Sequence, residues 1–225
     1  MTTEGLLLVN KTKGKNSFSL VFELRQLTGV KKIGHSGTLD PFASGVMVML
    51  IGRSYTKKAG HFLQMDKEYE ALVRLGFNTE TLDSDTPETF VSDYQPSLEE
   101  IKLALKHFQG ELWQTIPRYS AKKIRGKPMY KLARRGLVFE TGQKKISLTT
   151  TLLDYAYPFL RLNVKCSSGT YIRQIAFDLG KILQSGAYLT ELVRLKLGAF
   201  HLKDCLDQAE LFTKNLKKHL IQKDF

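Results

Sequence analysis

Asp40 is the only acidic residue between Glu23 and Asp66. It sits in Gly34-His35-Ser36-Gly37-Thr38-Leu39-Asp40-Pro41, whose glycines, hydroxyl side chains and proline read as a loop. Apolar segments bracket this loop and basic sequence surrounds it. A lone carboxylate against buried apolar chain is costly to desolvate unless a cation pairs with it. A cationic neighbour would keep it ionised, and an ionised, poorly solvated Asp can act as a nucleophile or a base. A second reading competes, because Asp followed by Pro often opens a helix, with Asp as N-cap and Pro in the first turn. On these residues alone both readings stand.

Two other segments bring polar groups to the start of an element. In Gly169-Thr170-Tyr171-Ile172-Arg173 a loop runs into a helix whose first turn would carry Tyr171 and Arg173. In Lys67-Glu68-Tyr69-Glu70-Ala71, Tyr69 is one position of an alternating strand. Core Tyr residues and a solvated Arg would account for both equally well. Other familiar patterns fail. Gly29 to Ser36 has the glycine spacing of a phosphate-binding loop, but His35 stands where the lysine must be. Gly-x-Ser-x-Gly is absent, and the histidines lack metal-ligand spacing.

The elements that must position these groups follow from the patterning. Gly5 to Val9 reads as a buried strand. Asn16 or Ser17 can cap a helix to about Leu27, with Gly29 as its stop. Lys32 to Gly34 is extended, and Val46 to Ile51, wholly apolar and short, reads as an interior strand. Tyr55 to Leu63 is predicted helical, and Tyr69 to Leu75 alternates as a half-buried strand. Ser97 to Glu100 is a capping box that opens a helix to about Phe108. Tyr119 to Lys127 is predicted as a loop and Met129 to Arg135 as a short helix. Lys145 to Tyr155 pairs with Phe159 to Cys166, a helix runs from Tyr171 to Leu183, and a last strand lies in Tyr188 to Phe200. The tail from Leu206 is predicted helical. Paired strands mixed with separated helices give an α+β class with a mixed sheet.

The 225 residues allow one large domain, and 42% hydrophobic with 25% charged residues is ordinary for a folded chain. The longest apolar run, Val46 to Ile51, is far short of the roughly 20 residues that span a bilayer. Leu6 to Val9 has no preceding basic residue, so no signal peptide is expected. Two cysteines, Cys166 and Cys205, make neither a disulfide framework nor a zinc set. These features predict a cytoplasmic, membrane-free protein. The net charge is +12 and is unevenly spread. Residues 1–60 hold nine Lys/Arg and three acids, residues 118–135 hold eight Lys/Arg and no acid, and residues 66–100 hold ten acids and two bases. With Tyr119 and Tyr130 among the cations, this polarity suits a polyanion with unpaired bases. A pure RNA-binding or RNA-folding module fits the charge as well as an enzyme does. A metal-dependent nuclease fits less well, because the acids cluster away from the basic segments.

Taken together, the motifs resemble the tRNA pseudouridine-55 synthase (TruB) family, in order along nearly the whole chain. Lys32 to Gly45 resembles its active-site motif, and Asp66 to Ala71 with Leu75-Gly76, Thr79, Thr81 and Asp83 its second motif. Tyr119 to Gly136 resembles its basic RNA-gripping segment, Cys166 to Arg173 its third motif, and Leu192-Val193-Arg194-Leu195 its fourth. The resemblance implies a pseudouridine synthase fold, a mixed central β-sheet flanked by helices and loops, as a single catalytic domain over 1–225. Residues 118–136 would be its RNA-contacting insertion. It implies isomerisation of uridine 55 in the tRNA T-loop, with Asp40 as nucleophile and Arg173 as its ion-pair partner. Tyr69 would stack on the target uracil, Tyr171 and Leu192 would wall the base pocket, and His35 would fill the place the flipped base leaves. Lys122, Lys123, Arg125 and Lys127 would contact the RNA backbone. No metal or other cofactor is implied, the partner is the tRNA T-arm, and the default is a monomer with no obligate protein partner. Two departures stand out. Arg53-Ser54-Tyr55-Thr56-Lys57 is one residue longer than the family's form, which leaves Lys57 or Lys58 in the familiar lysine's place. Only 25 residues follow His201 inclusive, too few for the small C-terminal RNA-binding (PUA) domain many members carry. Lys214, Lys217, Lys218 and Lys223 would partly substitute for it.

Overall fold

The wholly apolar stretch forms the last six residues of a strand, with every side chain from Val46 to Ile51 fully buried. A computed structural model describes residues 4–222 of the chain. In chain order, its first elements are β1 (Gly5–Lys11), α1 (Ser17–Thr28), β2 (Ile33–His35), β3 (Ser44–Ile51), α2 (Arg53–Thr56), α3 (Ala59–Gln64) and β4 (Lys67–Leu75). There follow β5 (Phe77–Thr79), β6 (Glu88–Phe90), α4 (Leu98–Leu105), β7 (Gln109–Thr115), β8 (Lys123–Ile124), β9 (Lys127–Pro128) and α5 (Met129–Ala133). The last are β10 (Gln143–Ala156), β11 (Phe159–Cys166), α6 (Ile172–Ile182), β12 (Ala187–Leu197), β13 (Phe200–His201) and β14 (Leu206–Asp207). The chain divides into two compact units, one running to Glu70 and resuming at Leu192, the other Ala71–Glu191. Strands β4 and β12 carry the chain across the division.

In the first unit β1 lies antiparallel to β3, from Gly5 opposite Ile51 to Lys11 opposite Gly45. β14 joins β1 in parallel and β12 joins β3 in parallel, so the sheet is mixed, as expected. Leu6, Leu8, Val46, Val48 and Leu50 cluster on one face with Phe62, Leu197 and Phe200. Their alternates Leu7, Val9, Met47 and Met49 are also fully buried. Burial on both faces is why the sequence here is continuously apolar rather than alternating. Asn16 caps α1 through a bond from the Ser19 N–H, and Gly29 ends it in the left-handed region.

In the second unit β10 pairs antiparallel with β7 and with β11. α4 starts at the predicted capping box, with Ser97 and Glu100 bonded reciprocally. Buried Ile172, Ile175, Ala176 and Leu179 give α6 one apolar stripe. Among the described residues no helix is long and apolar enough to cross a membrane.

Several expectations need correction. The helix expected over Tyr55–Leu63 is broken at Lys57-Lys58 into α2 and α3. The helix from Leu98 stops at Leu105 and tightens into a 3₁₀ turn over Lys106–Phe108. β7 follows it, and this strand gave no sequence signal because Gln114 is its only buried side chain. The basic loop contains the hairpin β8–β9. As far as Gln222, the tail is not an α-helix. It pairs with β1 at both ends, through β14 and through the reciprocal Leu6–Ile221 backbone bonds of 3.0 and 2.9 Å. An open strand edge satisfies the tail's backbone groups, so only 3₁₀ turns form between, at Gln208–Glu210 and Leu216–His219. Lys214, Lys217 and Lys218 lie in or beside these turns, and Lys223 lies outside the described residues.

Candidate active site

The Asp40 loop is held from several sides within the first unit. The Asp40 carbonyl accepts the Ala43 N–H at 3.1 Å, making a tight turn with Pro41 second, not the helix start that Asp-Pro allows. The buried Ser17 hydroxyl, at the head of α1, donates to the Leu39 carbonyl at 3.0 Å and accepts the Leu39 N–H at 2.9 Å. The Pro41 carbonyl accepts the Gly14 N–H at 2.8 Å and lies 3.4 Å from Lys11 Nζ. Lys11 is itself fully buried, its ammonium also donating to Lys15 O at 2.6 Å and Thr12 O at 3.0 Å. Ser36 docks on β3 through Val48, its N–H donating to the Val48 carbonyl at 3.0 Å and its hydroxyl oxygen accepting the Val48 N–H at 3.2 Å. Asp40 is thereby left half-buried on a backbone with little freedom.

Arg194 on β12 completes this frame, and the sequence gave no reason to single it out from its motif. It is 1% exposed. Its Nε donates to Val46 O at 2.6 Å and its Nη2 to Gly37 O at 3.3 Å, tying β3 to the loop. Gly45, opposite Arg194 in the parallel pair, has φ +110, and a Cβ there would lie 2.3 Å from the Arg194 carbonyl oxygen. Burial, and secondarily the Arg194 charge, lowers the pKa of His35. The neutral ring accepts the Gly37 N–H at Nδ1, at 3.3 Å. Tyr69 on β4 and Leu192 on β12 are each 7% exposed.

The second unit holds Tyr171 and Arg173. Gln114 grips the backbone of Tyr171 from both sides, accepting its N–H at 2.8 Å and donating to its carbonyl at 3.0 Å. This fixes the entry to α6, which has no side-chain cap of its own. Arg173, 4% exposed, has its guanidinium carbon 5.8 Å from the Tyr171 ring centroid. It donates to Thr81 O at 3.1 Å and Tyr119 O at 2.6 Å, and its Nε lies 3.9 Å from Asp83 Oδ2. Asp83 is buried and is held by the Thr81 hydroxyl at 2.5 Å and the Asp85 N–H at 3.1 Å. Thr81 and Asp83 of the second motif thus hold Arg173 in place within this unit. Of the basic residues, Lys122, Lys123, Arg125 and Lys127 project from or beside the β8–β9 hairpin and are exposed. Its two-residue turn has Arg125 at φ 47 and Gly126 at φ 80, the left-handed pair that hairpins favour.

Residues 25–172 match the sequence model of the TruB family pseudouridylate synthase N-terminal domain. The chain belongs to the TruB family. A relative from Protochlamydia amoebophila (strain UWE25), a tRNA pseudouridine synthase B, is 53% identical over 98% of this chain and 85% of that protein. The tRNA pseudouridine synthase B of Chlamydia pneumoniae is 50% identical over 91% of this chain and 87% of that protein. Among solved structures, a chain in the crystal structure of a Cbf5–Nop10–Gar1 complex superposes with a TM-score of 0.72 at 24% identity. The superposition covers 92% of this TruB chain and 53% of that chain, about half its length, and shows a shared fold.

Proposed function

We propose that this TruB-family chain is a tRNA pseudouridine synthase that isomerises uridine 55 of the T-loop, with Asp40 as the catalytic carboxylate. Family membership supports the reading, and the observation that carries it is the clamped turn around Asp40. A merely solvated acid would need no such frame. Uridine and pseudouridine are isomers. The bond from the sugar to uracil N1 breaks, the freed base turns, a bond from the sugar to C5 forms, and the C5 proton is replaced by one at N1. Within this reading Asp40 attacks the sugar or the base, or removes a proton. Arg173, aimed by backbone carbonyls, keeps that carboxylate charged. Extruding the base costs a few kcal/mol, and stacking on Tyr69, worth about 1–3 kcal/mol, offsets much of it. Tyr171 and Leu192 wall the base, His35 fills the vacated space, and the hairpin lysines and arginine hold phosphates. The two units act as one catalytic domain, in the cytoplasm, on the T-arm of tRNA.

The test is pseudouridine mapping in a bare tRNA transcript. Asp40→Asn is expected to lower turnover by at least about a thousandfold while tRNA affinity stays within a few-fold. Full turnover in that variant overturns the assignment. Arg173→Ala should cut turnover far more than affinity, whereas an equal loss in both would make it an RNA contact only.

A further inference from the structure

The outward face of α1 carries groups that the proposed reaction does not use. Phe18 and Phe22 are 62% and 56% exposed and stand one helical turn, about 6 Å, apart. Arg25 continues the stripe, its guanidinium carbon 6.0 Å from the Phe18 ring centroid. Lys13 and Lys15 precede the helix and Lys31 and Lys32 follow it, all four exposed. Arg25, Gly29, Val30, Lys31 and Lys32 line a shallow depression at the helix end. The single acid in this stretch, Glu23, is occupied, both carboxylate oxygens accepting from the Gln208 amide at 3.1 and 3.0 Å. The face therefore offers two exposed aromatic rings and five cations against the single carboxylate of Glu23, which is turned to Gln208.

We propose that this face is a second RNA-contact surface. Unpaired bases of the substrate tRNA stack on Phe18 and Phe22, and the adjoining phosphates sit against Arg25, Lys31 and Lys32. The inference rests on RNA being the substrate. Aromatic rings among cations are the combination that binds single-stranded nucleic acid, stacking bases while neutralising the backbone. A second copy of this chain is disfavoured, because it carries the same net charge of +12. The placement fits as well. The exposed face begins one residue from Ser17, whose hydroxyl clamps Leu39, so the helix that carries it is fastened directly to the Asp40 loop.

The experiment measures binding of a labelled full-length tRNA transcript to the full chain by fluorescence anisotropy, with thermal melts to confirm folding. The paired substitutions Phe18→Ala/Phe22→Ala and Phe18→Leu/Phe22→Leu are each expected to weaken binding by about tenfold or more, because leucine keeps apolarity but cannot stack. Phe18→Trp/Phe22→Trp should bind at least as well as the unsubstituted chain, and Lys31→Glu/Lys32→Glu should weaken binding and flatten its salt dependence. Unchanged tRNA affinity in the alanine pair overturns the proposal, as does full affinity in the leucine pair. Loss in the alanine pair of binding to phosphatidylserine-containing vesicles, with tRNA affinity intact, would reassign the face to a lipid surface and overturn it too. A chain that binds tRNA through these rings yet forms no pseudouridine would sink the proposed function and leave this contact standing.

Discussion

Arg194 shows how one buried side chain can set the behaviour of a loop. Burying a guanidinium is expensive unless its donors are used, and here they are aimed at Val46 O and Gly37 O. Arg194→Met keeps the volume but leaves the Gly37 carbonyl without this donor. The Val46 carbonyl loses its donor too, and we expect turnover to fall by about tenfold or more through loss of these two buried hydrogen bonds, with the fold retained. The same substitution has a second readout that a merely structural role would not move. The Arg194 charge contributes to lowering the His35 pKa, so its removal should raise that pKa in an NMR titration. An unchanged His35 titration would show that the two groups do not interact. Because His35 has a folded pKa below its unfolded value near 6.5, the unfolded chain binds more protons in that range. Its contribution to stability is thus complete above about pH 6.5 and lost as pH falls toward the folded pKa. His35→Gln should make the melting temperature less sensitive to pH over that window.

At the scale of elements, the β8–β9 hairpin is the simplest to test. Its ladder is only Lys123 to Pro128 and Ile124 to Lys127, and its turn needs positive φ at both central residues. Gly126→Val should strain the turn by roughly 1–3 kcal/mol, weakening tRNA binding several-fold in a filter assay while the melting temperature barely moves. A large drop in melting temperature would mean the hairpin supports the core rather than the RNA. This hairpin also marks the limit of what the residues alone reveal. β3, β4, α1 and the capping box of α4 were legible, because each carries its own signal of continuous apolarity, alternation or caps. β7 and the tail were not, since their conformation is imposed by pairing partners far away in sequence, β10 and β1. The candidate site divides in the same way. Asp40 stood out by its isolation in a basic, glycine-rich loop. Ser17, Lys11 and Arg194 did not, because their work is done through backbone carbonyls and amides that no side-chain pattern announces.

For the whole molecule the governing quantity is charge, and its distribution matters more than its total. Attraction that came from the overall +12 field alone would respond to any four lysines or arginines alike. Direct phosphate contacts respond only where the cations touch RNA, because each contact releases condensed counterions and adds roughly 0.7–0.9 to the slope of log affinity against log salt. Replacing Lys122, Lys123, Arg125 and Lys127 together by Ala leaves two-thirds of the net charge in place. If these four hold phosphates, the slope measured by anisotropy between low and moderate salt should shrink by up to about 3, and affinity at low salt should fall most. Replacing the exposed Lys102, Lys106, Lys165 and Lys181, four cations outside every proposed contact, is the matching control for a general field. Equal loss of slope from both sets would place the attraction in the field of the whole chain. Loss confined to the first set would place it in the hairpin, the one segment where eight cations lie within residues 118–135 without an acid among them.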